Sequence, residues 1–264
     1  MNRPAYELGL VSISFRPHTP EEILKAVAAA GLTCIEWGSD VHAPCRDVAR
    51  LQEIAALQKH YGITCSSYGT YFVLGQNPLS ELKDYIAAAG ILGTNILRLW
   101  GGSKKGEDMT PEELADFTNT CREAAKIAEE ANVTFCLECH MRSITETPAY
   151  AVALMEAVNS SHFRLYWQPF QWLDAEGSLS VAEAYAPFAR HIHVFNWQPP
   201  KMAPAKHPLA EAVEDWKRYL AVFTTPRTLL LEFMPDDRLE SLPTEAEALR
   251  TIIGGSYDES HHSL

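Results

Sequence analysis

No stretch of this 264-residue chain stays apolar for the roughly 20 residues that a membrane-spanning helix requires. The opening Met1-Asn2-Arg3-Pro4 runs into a strand-like segment and lacks both an apolar signal core and a small-residue cleavage site. Basic residues are sparse: 22 Lys and Arg face 34 Asp and Glu, the formal charge is −12, and no basic cluster exceeds Lys104-Lys105. Without a basic stripe the chain is a poor match for nucleic acid. Linkers, low-complexity tracts and internal repeats are missing as well. Residues 1–264 are therefore expected to form one domain with a frayed tail over 256–264, in a cytoplasmic protein with no membrane partner.

Disulfide patterning is missing too. The six cysteines, 34, 45, 65, 121, 136 and 139, lie mostly in apolar strand-like runs, which suits buried free thiols in a reducing compartment. Cys136 and Cys139 have zinc-ribbon spacing without a second pair, so core packing is the reading for them.

What the chain does have is alternation. Strand-like runs fall at Leu8–Phe15, Thr33–Trp37, Ile63–Ser67, Ile96–Trp100, Val133–Glu138, Phe163–Gln168, His191–Phe195 and Thr228–Glu232. Amphipathic stretches separate them, at Glu21–Ala30, Val48–His60, Leu79–Ala89, Pro111–Ala131, Ala149–Val158 and Ala210–Val222. Thr19-Pro20-Glu21-Glu22 and Thr110-Pro111-Glu112-Glu113 each read as a capping threonine, proline at the first helical position and acids in the first turn. Pro243-Thr244-Glu245 is a weaker opening for a last helix. Eight strands alternating with helices imply parallel pairing, and their count and even spacing predict a single (β/α)8 barrel, an α/β fold for which this length is ordinary.

Chemistry in such a barrel sits at the carboxyl ends of the strands. The fifth run ends CLECH, with Glu138 and then His140; the sixth ends YWQPFQW, with Gln168 and Gln171. The seventh reads HIHVFNW, with His191, His193 and Asn196, and the eighth ends LLLEF, placing Glu232 after three leucines. An apolar strand has no structural use for a terminal acid, so Glu138 and Glu232 are the strongest candidates. A core histidine with a backbone partner would look like His193, and His191 shares its face deeper in the barrel. Two carboxylates at a dry mouth repel and raise each other's pKa unless a cation lies between them. The expected cofactor is therefore one divalent metal ion, with Mn²⁺, Mg²⁺, Co²⁺ and Zn²⁺ all compatible with mixed oxygen and nitrogen donors.

At these strand ends the chain resembles the xylose isomerase-like TIM barrel superfamily, within its sugar phosphate isomerase/epimerase group. Glu138 with His140, Thr145 and Thr147, the HIH of the seventh run, and Glu232 carry the resemblance, as do EWGSDVH (Glu36–His42) and RLWGG (Arg98–Gly102). It implies Glu138, Gln168, His193 and Glu232 as metal ligands, with Glu138 and Glu232 also the catalytic acid and base. The sixth-strand ligand in this group is usually aspartate, followed three residues later by a histidine; here Gln168 and Gln171 stand instead, which lowers the expected metal affinity. Trp37, His42, Arg98, Trp100, His140, Gln171 and Lys201 are the candidates for contact with substrate. Trp37 and Trp100 join Phe170, Trp172 and Trp197 as aromatics placed to cover the apolar faces of a sugar, and ion pairing with acids is the competing role for Arg98 and Arg142.

The activity so implied is a metal-dependent sugar isomerase or epimerase acting on a small sugar-like molecule by α-proton transfer through an enediolate. Alternatives are a lyase or dehydratase on a keto-inositol or oxidised glycoside, and a non-catalytic sugar-binding barrel. The endonuclease IV branch of the superfamily is not matched, because its three zinc ions need more histidines and carboxylates than these strand ends supply. Homo-oligomerisation is left open.

Overall fold

Apolar residues at every second position make each strand-like run a barrel stave: one face meets the helices and the other the interior. The structure, a computed structural model, describes residues 6–198, 205–225 and 227–254. The first seven staves are β1 (Glu7–Val11), β2 (Cys34–Gly38), β3 (Thr64–Val73), β4 (Ile96–Trp100), β5 (Thr134–Leu137), β6 (Phe163–Trp167) and β7 (Ala189–Val194). A short antiparallel ribbon, β8 (Trp197–Gln198) and β9 (Ala205–Lys206), follows β7, and β10 (Thr228–Leu231) is the last stave. All stave pairings are parallel, and the order β1-β10-β7-β6-β5-β4-β3-β2 closes on itself because β1 also pairs with β2.

The helices are α1 (Pro20–Ala29), α2 (Val48–Tyr61), α3 (Leu82–Leu92), α4 (Pro111–Glu130), α5 (Pro148–Val158), α6 (Ala175–Tyr185), α7 (Val213–Ala221) and α8 (Leu242–Ile253). Both threonine caps form as the sequence predicts: Thr19 with Glu22 and Thr110 with Glu113 complete reciprocal capping boxes. Among the described residues no helix is long and apolar enough to cross a membrane.

Four features differ from the sequence expectation. The first predicted strand stops at Val11, and Ser12–Phe15 form a 3₁₀ turn. Ser12 Oγ there accepts the Gly38 N–H at 2.9 Å, bracing the ends of β1 and β2. The third strand runs on to Val73, with register shifts against both neighbours. Helix α6 and the β8–β9 ribbon were not predicted: α6 carries Gly177 and Ser178 near its start, and Asp174 makes it viable by accepting the Gly177 N–H at 2.8 Å.

Packing sorts the strand residues cleanly. Ile35, Trp37, Leu97, Leu99, Phe135, Leu137, Leu165, Trp167, Ile192, Val194, Leu229 and Leu231 belong to the large core between staves and helices. Val11, Cys34 and Leu230 form a separate interior cluster, and Ile96, Cys136 and Tyr166 another. These two clusters floor the barrel beneath the polar strand ends. All six cysteines are free, and burial pushes the Cys34, Cys65, Cys121, Cys136 and Cys139 thiols up, as their packing role predicts.

Candidate active site

The same alternation decides which polar side chains enter the barrel. Leu229 and Leu231 face the helices, so Leu230 and then Glu232 face inward; Ile192 and Val194 likewise turn His191 and His193 in. Cys136 is inward, so Glu138 is too, and Ile96 brings Arg98 to the same side of β4. Cys34 does this for Glu36 on β2, leaving Trp37 on the outer face.

These side chains form one buried network. Arg98 donates from Nε to Glu36 Oε1 at 2.8 Å and from Nη1 to Glu138 Oε2. Ser67 on β3 donates to Glu36 Oε2 at 2.8 Å. His193 Nδ1 lies 2.8 Å from Gln168 Oε1 and 3.3 Å from Glu232 Oε2, while His193 Nε2 lies 3.6 Å from Glu36 Oε1. The two contacts to carboxylates are ionic rather than aligned hydrogen bonds, since His193 Nε2 and Glu232 Oε2 are buried without a hydrogen-bond partner. Gly69 makes the arrangement sterically feasible: a Cβ there would stand 2.7 Å from both Arg98 Nη2 and Glu36 Oε1.

Charge follows geometry. Burial works to raise the Glu36 carboxyl, yet Arg98 and then His193 outweigh it and hold the group well below the usual carboxylate range. Burial likewise opposes the charge on Arg98, but Glu138, Glu36 and Glu232 drive its pKa up. Burial also opposes protonation of His193, which Glu232 and Glu36 nonetheless lift to about 10.

Residues 24–252 match the sequence family described as the xylose isomerase-like TIM barrel. The chain belongs to this family. An inosose dehydratase of Klebsiella pneumoniae strain 342 is 22% identical over 235 residues, covering 83% of this chain and 77% of that protein. Among solved structures, the probable 3-DHS dehydratase of Bacillus anthracis involved in petrobactin synthesis superposes with a TM-score of 0.77 at 16% identity, covering 93% of this chain and 98% of the other. A xylose isomerase-like TIM barrel protein of Mycobacterium smegmatis, solved in complex with magnesium, gives a TM-score of 0.71 at 16% identity over 96% and 98% of the two chains.

Membership in this family raises the question of a divalent cation, and three donors here suit one. Atoms bound to a common Mg²⁺-like ion at about 2.1 Å lie roughly 3 Å from one another, and His193 Nδ1 has just such spacings, 2.8 Å and 3.3 Å, to Gln168 Oε1 and Glu232 Oε2. The orphaned, buried Glu232 Oε2 is the atom such an ion would satisfy. Among the described residues no group of three or more His, Cys, Asp and Glu is arranged to hold a metal; the cluster reaches three donors by including the Gln168 amide. An ion on His193 Nδ1 requires that nitrogen to be free of its proton. Glu138, the remaining expected ligand, is turned toward Arg98.

The other candidates divide. Trp37 is corrected from a substrate contact to a core residue: it is wholly buried outside the barrel, and its Nε1–H donates to Gln58 Oε1 of α2 at 2.7 Å. His42 is buried with Nδ1 on Ser12 Oγ at 3.1 Å and its ring edge-on to Trp37. Trp100 and His140 stack at 4.9 Å and 16° along a cleft of about 390 Å³ that Val73, Gln76 and Met141 also line. Gln171 is half-buried on the loop after β6, Phe170 stacks on Trp172, and Trp197 packs edge-on to Phe233. Arg142 is exposed, with its backbone N–H on Glu146 Oε2. Lys201 lies outside the described residues.

Thr145, part of the motif around Glu138, has a definite use. Its hydroxyl donates to the Glu138 carbonyl at 2.5 Å and accepts the His140 N–H at 3.2 Å, and Tyr185 donates to its carbonyl at 2.7 Å. The loop carrying His140 is thereby folded back against β5. Glu36 and Ser67 are the members of the network that the sequence reading did not single out. For Glu36 the signal was present, since an acid inside the run Cys34-Ile35-Glu36-Trp37 is as anomalous as Glu232 after its leucines.

Proposed function

We propose that the chain is an enzyme that removes the proton α to the carbonyl of a polyhydroxylated, sugar-like ketone and then expels a neighbouring hydroxyl as water. One divalent ion held by His193, Gln168 and Glu232 would supply Lewis-acid polarisation of that carbonyl.

The observation that carries this reading is the unequal partnering of the two glutamates. Glu138 is committed to the guanidinium of Arg98, whereas Glu232 Oε2 has no hydrogen-bond partner and lies 3.3 Å from the imidazole of His193. An epimerase that works by proton removal and return needs a competent base on each face of the substrate. A syn elimination needs one. Glu232 takes the α-proton, the C–H electron pair forms the carbon–carbon double bond, and the C–O bond to the β-hydroxyl breaks. The departing oxygen collects the same proton from Glu232, so the carboxylate is regenerated and one water is lost. Burial of the network excludes bulk water from the base, a setting in which general-base catalysis contributes on the order of 10²–10⁴-fold. The dehydratase names of the relatives support elimination.

The test is a keto-inositol incubated with Mn²⁺-loaded protein in D₂O and followed by proton NMR. The expected product carries a new C=C conjugated with the carbonyl and has lost one water. Accumulation of a deuterated epimer without an unsaturated product would overturn elimination and favour the epimerase reading, in which Glu138 and Glu232 serve opposite faces.

A further inference from the structure

We propose that Glu36 is a positioning residue: it fixes the orientation of the His193 ring from behind and, through Arg98, the carboxylate of Glu138. This rests on reading His193, Gln168 and Glu232 as a divalent-cation centre.

Three observations support it. First, the imidazole of His193 stands between two sets of oxygens. Nδ1 faces Gln168 and Glu232, and Nε2, which has no hydrogen-bond partner, faces Glu36 Oε1 at 3.6 Å. A carboxylate facing the outer nitrogen of a histidine ligand favours the proton on that nitrogen, so that the inner one is left to bind the ion. Second, the same Glu36 Oε1 accepts Arg98 Nε at 2.8 Å, and that guanidinium holds Glu138 with Nη1. One carboxylate oxygen thus faces both a ligand of the proposed ion and the guanidinium that holds Glu138. Third, the meeting is built in sterically. Ser67 pins the other oxygen of Glu36 at 2.8 Å, and on β3, between the strands that carry Glu36 and Arg98, Gly69 leaves open the volume a methyl group would take from both. A glutamate needed only to neutralise Arg98 would not have to face His193.

The experiment is Mn²⁺ binding, followed by electron paramagnetic resonance, on folded wild-type protein and on Glu36→Gln, Gly69→Ala and Glu245→Gln. Glu36→Gln is expected to weaken Mn²⁺ binding by about 10- to 100-fold, the usual effect of removing such a partner. Gly69→Ala retains every charge and displaces the pair, so it is expected to weaken binding as well. Glu245 is buried on α8, accepting the Leu209 N–H at 2.9 Å; its glutamine variant controls for loss of a buried acid as such and is expected to bind like wild type. Wild-type affinity in Glu36→Gln overturns the proposal. Should that variant not fold, wild-type affinity in Gly69→Ala overturns it instead. A wild-type protein that takes up no Mn²⁺ brings down the cation centre and this inference with it, a result distinct from the first two.

Discussion

Arg98 Nε lies 2.8 Å from Glu36 Oε1, although their strands, β4 and β2, are not neighbours in the barrel and β3 stands between them. The side chain crosses above the bare backbone of Gly69 and goes on to Glu138, just past the end of β5. Two buried carboxylates therefore depend on one guanidinium.

Replacing Arg98 by Met should be costly. Two acids would be left in the interior without their main counter-charge, and breaking buried pairs in this way typically costs about 3–5 kcal/mol. Urea unfolding followed by circular dichroism measures it. Lysine should recover only part of the loss, because a single ammonium cannot serve carboxylates approached by Nε and Nη1 in different directions. A Met variant less than about 1 kcal/mol below wild type would show that these acids are protonated or hydrated rather than held by the pair.

Glu232→Gln should keep the fold and stop the chemistry. Deuterium exchange at the substrate carbon next to the carbonyl should fall by about 10²- to 10⁴-fold. Glu138→Gln should slow exchange less, since Glu138 is already engaged by Arg98. Equal, large losses in the two variants would instead support a base on each face.

Gln168→Asp is expected to tighten Mn²⁺ binding. The change adds a charge at a position whose oxygen already lies 2.8 Å from His193 Nδ1. Titration calorimetry on the two proteins decides; unchanged or weaker affinity would place Gln168 against substrate.

Two histidines set an acid limit on stability. Burial lowers the pKa of His42 from 6.5 to about 4 and that of His191 in the same direction. Groups with depressed folded-state values are neutral in the native protein and bind protons more readily when unfolded. The contribution of His42 to stability is present above pH 6.5 and is lost as pH falls toward 4, and that of His191 falls in the same sense. The melting temperature of wild type should thus drop between pH 7 and pH 4.5 by more than that of His42→Asn, compared by calorimetry. Parallel curves would remove His42 from this role.

The barrel was legible because period-two patterning and helix caps are local signals, and each of the eight staves overlaps its predicted run. The ends were less legible, as with Ser12–Phe15, whose turn is set by the tertiary bond from Gly38 to Ser12. Within the site, Glu138, His193 and Glu232 stood out as polar residues closing apolar strands. Trp37 was misplaced because an aromatic near a strand end suits a sugar pocket and a helix-facing core equally well. Parity settles it: once Glu36 is turned inward, its neighbour must face α2. The pairing of Arg98 with Glu36 depends on a missing side chain at Gly69, and a missing side chain gives no sequence signal of its own.

Phe233, directly after Glu232, adopts a left-handed conformation at φ 58°, and its N–H reaches Ser14 Oγ at 3.2 Å. The turn that follows the proposed base is thereby fastened to the opposite end of the chain, at the seam where β10 meets β1. A nascent chain that has not yet delivered residue 233 cannot have this centre in working order, however well its first strands have paired. Activity would therefore appear abruptly, with seam closure, and partially folded chains would be silent toward substrate.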